Sequence, residues 1–126
     1  MIMKLVLYFA AFLAFGIGAI HSLLGEKFIL MRLFRCADIP HLFGSADFTI
    51  RTLRFAWHLT TLAWWGFAAL LILIAHPPLK LESVATVIGC TFIAHFVLAV
   101  IGTRGKHLSW VVFLVIGVSA FFAAGG

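Results

Sequence analysis

Uncharged apolar runs recur along the chain at 5–24, 55–75, 84–102 and 108–124. Each holds 17 to 21 residues without an Asp, Glu, Lys or Arg, and a helix needs about 20 to cross a hydrocarbon core of about 30 Å. Backbone N–H and C=O groups in lipid must be paired within their own segment, which a helix does locally. Two connections, "HPPLKLES" and "TRGKH", are short, so the helices they join run antiparallel. The pattern predicts an all-α integral membrane protein, a single domain over 1–126 built as an up-and-down bundle of four transmembrane helices.

The third connection, 25–54, is too long for a plain loop. Its first part, "GEKFILMRLFR", mixes apolar and basic residues and suits a first helix carried past the bilayer or laid along its surface. "CADIPHLFGSADF" then carries turn chemistry, with Ser45 as an N-cap and Asp47 in the first turn of helix two. That helix is expected to reach Ala75, about 45 Å at 1.5 Å per residue, so helices one and two both extend into the cytoplasm. Pro77 and Pro78 end it, and Ser83 is placed to cap helix three. Lys4 precedes the first run as in a secretory signal, but "GAIHSLLGE" offers no small-x-small cleavage site and the run is long for an h-region. It is therefore read as a retained helix.

Composition agrees with the pattern. The chain is 64% hydrophobic and 10% charged with mean hydropathy +1.19, where soluble domains are roughly half apolar and a quarter charged. The net charge of +5 is informative through its placement. Lys27, Arg32, Arg35, Arg51, Arg54, Arg104 and Lys106 fall in two connections, and only Lys4 and Lys80 fall on the opposite side. Cationic loops stay cytoplasmic, which puts both termini on the non-cytoplasmic side of a bacterial-type inner membrane. The excess charge then answers to lipid headgroups, with no nucleic-acid footprint. Cys36 and Cys90 lie at different depths and form no CxxC pair, so no disulfide is expected.

"RFAWHLTTLAWW" sets His58 one turn inside the membrane from Arg54. Every helix supplies one imidazole on its cytoplasmic side: His21 and His58 about 6 Å in, His95 about 10 Å in, and His107 at or just outside the border. Asp47, Arg51, Arg54, His58, Thr61 and Trp65 share one face of helix two, as Thr91, His95, Ala99 and Gly102 do on helix three and Gly18, His21 and Gly25 on helix one. Ionisable groups at such depth face the bundle interior and mark a pathway or a ligand.

One reading is a haem b with His58 and His95 as axial ligands, Arg54 and then Arg51 at the propionates, and Trp57 and Trp65 walling the macrocycle. Another is a transition metal, iron, copper or zinc, held by His21, His58, His95 and His107 with Glu26 as the carboxylate and Asp47 as its substitute. His21 and Glu26 lie about 140° apart on a regular helix and meet only if Gly25 breaks it. A third leaves these histidines bonded to headgroups, loop carbonyls or acidic side chains. His41 and His76, beside prolines, are read as surface groups. No EXXH or HEXXH pair, phosphate-cradling glycine loop or Ser-His-carboxylate spacing occurs. The expected function is electron transfer or redox chemistry at a haem or metal site, with quinone as a natural partner. The alternative is a non-catalytic accessory or assembly subunit of a larger membrane complex. Its packing stripe, Ala10, Ala14, Gly18 and Ser22, equally suits a second copy of the chain.

Overall fold

The computed structural model describes residues 1–125. Among them there is no β-strand, and the chain forms the helices α1 (Ile2–Leu33), α2 (Asp47–Ile74), α3 (Leu81–Thr103) and α4 (Ser109–Gly125). The first three are long and apolar enough to cross a membrane. The fourth is as apolar but has 17 residues, about 25 Å of helix.

α1 does not break at Gly25. It passes through a π-helical turn at Gly25–Leu30 and continues to Leu33, so only 34–46 of the long connection lies outside helix. A π turn adds one residue to the ring and rotates everything beyond it around the helix axis. Two expected caps are displaced. Leu42 and Ser45 exchange backbone hydrogen bonds of 3.0 and 3.3 Å around Phe43 and Gly44, both at positive φ, which ties Ser45 into a tight turn. Ala46 therefore takes the N-cap position of α2, and Ser45 Oγ reaches only the N–H of Asp47, at 3.3 Å. α3 likewise starts at Leu81, because extended Lys80 supplies the carbonyl for Val84 N–H at 3.2 Å. Ser83 thus lies in the first turn instead of at the cap.

Helix packing follows chain order: α1 on α2, α2 on α3, α3 on α4. Each neighbouring pair is antiparallel. Tyr8 of α1 meets His76 just past the end of α2, while Gly25 meets Trp57 near its start. Gly66 and Phe55 of α2 lie beside Thr91 and Gly102 of α3, and Gly89 of α3 lies beside Phe121 of α4. α4 leans back far enough for Phe113 to approach Phe55 of α2, ring centroids 6.5 Å apart. Among the described residues α1 has no such second neighbour and packs on α2 alone.

The α1–α2 contact is close because α1 offers Gly18 and Gly25 to aromatic side chains of α2. A Cβ on Gly18 would come within 2.8 Å of the Trp65 indole nitrogen, and one on Gly25 would collide with the Trp57 indole. Gly18 and Ser22 of the small-residue stripe thus face α2 of the same chain. We predict that Gly25→Ala destabilises the protein by about 1–3 kcal/mol, since the indole must move out of a packed seam. Gly16, with open space around its Cα, is the internal control: Gly16→Ala should be neutral or stabilising by up to about 1 kcal/mol. Thermal unfolding in detergent measures both, and equal effects of the two substitutions would contradict the packing.

Candidate functional site

α2 presents a ladder of donors to α1. Trp57, Thr61 and Trp65 recur every four residues and so share a helix face. Trp57 Nε1–H donates to the carbonyl of His21 at 3.0 Å, Thr61 Oγ1–H to that of Gly18 at 3.1 Å, and Trp65 Nε1–H to that of Phe15 at 3.1 Å. Donors ascending α2 meet carbonyls descending α1, as antiparallel helices require. Each carbonyl has a second lone pair beyond its intrahelical bond, so the ladder costs α1 none of its own hydrogen bonds.

Beside this ladder runs a chain of side chains. Thr61 Oγ1 lies 2.7 Å from Ser22 Oγ, which lies 2.8 Å from Nδ1 of His58. Nε2 of His58 lies 3.3 Å from Oε2 of Glu26, and Arg54 grips the same carboxylate through Nη2 to Oε1 at 2.9 Å and Nε to Oε2 at 3.2 Å. Thr61 is buried, His58 and Glu26 are partly so, and Arg54 is exposed with its guanidinium 5.0 Å from the Phe34 ring centre. The π turn beginning at Gly25 carries Glu26 toward α2.

With the Thr61–Gly18 bond made, hydrogen counting orders the other links. Thr61 has one hydroxyl hydrogen and gives it to the Gly18 carbonyl, so Ser22 must donate to Thr61. Ser22 then has none left for His58, and Nδ1–H of His58 must donate to Ser22. With Nδ1 protonated, a bond between Nε2 and a carboxylate requires one further proton between them. In that order, as in the reverse one where Thr61 donates to Ser22 and Ser22 to Nδ1, a hydrogen lies on the His58–Glu26 link, the longest in the chain.

A cleft of about 300 Å³ opens beside this proton, lined by Asp47, Ile50, Arg51, Arg54, Phe55 and His58 of α2 and by Leu98, Ile101 and Gly102 of α3. Arg51 is held by Asp47 through Nε, at 3.0 Å to each carboxylate oxygen. The α2 side of the cleft therefore carries its charges, and the α3 side is apolar.

The remaining candidate histidines lie elsewhere. His21 does not meet Glu26. Its ring stacks on Trp57 with centroids 4.5 Å apart, and its Nε2 lies 3.3 Å from the Trp57 carbonyl, while Glu26 turns to Arg54 and His58. His95, 5% exposed, donates from Nδ1 to the Thr91 carbonyl at 2.6 Å and lies against Phe92 and Phe113. It lines a different cavity from His58, and the two cavities share no residue. His107 packs near Phe48 and Phe55 and bonds Ser109. Of the expected ligands His21, His58, His95, His107 and Glu26, only His58 and Glu26 come together. Among the described residues no group of three His, Cys, Asp or Glu side chains is placed to hold a metal ion. Exposed His76 has a partner that spacing did not suggest: Tyr8 O–H donates to its Nε2 at 2.8 Å, since Nδ1–H is committed to the Ile72 carbonyl.

The polar face Arg54, His58, Thr61 and Trp65 is readable from spacing in three and four. The part of Ser22 is not, since its periodicity with Ala14 and Gly18 speaks only of size. The hydrogen count makes a spectroscopic prediction: ¹⁵N NMR of histidine-labelled protein should show Nδ1 of His58 carrying hydrogen. A bare Nδ1 would contradict the ordering Thr61, Ser22, His58.

The chain matches no protein-family model, no curated protein and no solved structure, so its own residues carry the functional conclusion.

Proposed function

We propose that this is a small multi-pass membrane protein in which the cleft beside His58 binds the oxygen-bearing head of a quinone-class amphiphile through hydrogen bonds donated by His58 and Arg54. In this reading all four helices cross an inner membrane, with Arg54, Arg104 and Lys106 at the cytoplasmic border as the crowding of Lys and Arg on that side favours.

The observation that carries the reading is the His58–Glu26 hydrogen bond, whose imidazole lines a half-polar cleft together with Arg54. A quinone head offers carbonyl oxygens, which accept hydrogen bonds and gain negative charge on reduction. Arg54 commits two of its five N–H groups to Glu26, leaving three for such an oxygen. The His58–Glu26 hydrogen bond is the longest link of the chain, at 3.3 Å, and the one an entering head most readily replaces. Ile50, Phe55, Leu98 and Ile101 supply the apolar wall for ring and tail.

In the haem reading, His58 and His95 are axial ligands and Arg54 meets a propionate. The metal reading uses His58 and Glu26 as its nucleus. These differ from quinone binding in a direct readout. A short-chain quinone titrated into protein in lipid nanodiscs, followed by tryptophan fluorescence, should bind roughly tenfold or more weakly after His58→Ala. A hydrogen bond involving a charged group contributes about 1.5–3 kcal/mol, and 1.4 kcal/mol is tenfold. Arg54→Gln should weaken binding as well, and His41→Ala should leave it unchanged. Equal affinity in all four proteins would overturn the proposal in favour of an accessory subunit. A Soret band lost in both His58→Ala and His95→Ala would replace quinone with haem.

A further inference from the structure

His95 is a buried imidazole that the cleft at His58 does not use. Its Nδ1–H donates to the Thr91 carbonyl at 2.6 Å, so in the neutral ring Nε2 is a bare acceptor. That nitrogen has no hydrogen-bond partner among the described residues, yet it is not sealed off by neighbouring atoms. His95 lines a cavity of about 180 Å³ between α2 and α3, with Ala63, Phe67, Leu70, Ile88 and Phe92 among its walls. Thr91 also lines it, but its hydroxyl hydrogen is committed to the Val87 carbonyl at 2.8 Å. The cavity therefore presents acceptors and no donor.

We infer that this cavity binds a single hydroxylated aromatic ring, a phenol, whose O–H donates to Nε2 of His95. Three observations converge on that class. An imidazole nitrogen facing apolar walls is costly unless a donor reaches it. The volume is of the order that admits one benzene-sized ring, about 150 Å³ in an engineered apolar cavity, and Phe67 and Phe92 offer aromatic faces to such a ring. A water molecule would find two acceptors for its hydrogens, no donor for its lone pairs, and most of the space unfilled. A ring bearing only carbonyl oxygens would set acceptor against acceptor. The site is thus of opposite hydrogen-bond polarity to the cleft at His58, and it stands whether or not that cleft binds quinone.

The test uses intact protein in detergent, labelled with ¹⁵N-histidine, and two isosteric probes, 4-fluorophenol and 4-fluorotoluene. The phenol should shift the Nε2 resonance of His95 saturably, leave that of His58 in place, and bind roughly three- to tenfold more tightly than the toluene, the range for one net hydrogen bond. Ala63→Leu fills the cavity from α2 and Ile88→Phe from α3, so whichever variant folds should lose the saturable shift. An unmoved His95 resonance would overturn the inference. So would identical shifts from both probes, or a phenol response that survives filling of the cavity.

Discussion

Three side-chain hydrogen bonds from α2 into the backbone of α1 hold the register on which the polar seam depends. Trp57, Thr61 and Trp65 reach the carbonyls of His21, Gly18 and Phe15, and they do so where α1 carries glycine or bends through a π turn. At this depth an indole N–H or hydroxyl without a partner is expensive. Sliding α1 by one residue would therefore break all three bonds together. That constraint fixes Ser22 opposite His58 and, one turn further on, delivers Glu26 to both His58 and Arg54. A helix packed on a single neighbour is otherwise free to rotate, and here the donors of that neighbour remove the freedom.

The seam also explains why two histidines one helix apart differ in chemistry. His58 has both ring nitrogens engaged and shares a proton with a carboxylate, so its cleft is rich in donors. His95 uses one nitrogen on its own helix and leaves the other bare, in a cavity where every polar atom accepts. They lie on separate cavities of the α2–α3 pair, and their environments select ligands of opposite hydrogen-bond polarity.

Much of this was legible in the residue pattern. Each of the four apolar runs marks a helix, within three residues at both ends for α3 and α4, while α1 runs on to Leu33 and α2 begins at Asp47, as the amphipathic and capping residues of the long connection suggest. The face of α2 carrying Arg54, His58, Thr61 and Trp65 follows from its steps of three and four. The rotation of each helix about its axis was harder to read. On α3 the face Thr91, His95, Ala99 and Gly102 does turn to α2, where Thr91 meets Gly66 and Gly102 meets Phe55, but its pattern does not tell that His95 lines a cavity apart from that of His58. The π turn has no sequence mark beyond Gly25, and it decides that Glu26 joins His58 while His21 stacks on Trp57. Ser45 and Ser83 carry the chemistry of caps, but the Leu42–Ser45 turn and the extended Lys80 set the helix starts elsewhere.

A double-mutant cycle between Glu26→Gln and His58→Phe, measured by reversible unfolding in detergent, tests the shared proton most directly. The account predicts a coupling of at least about 0.6 kcal/mol, the mean for hydrogen bonds between membrane helices. Additivity within about 0.3 kcal/mol would mean that the two side chains do not act on one another.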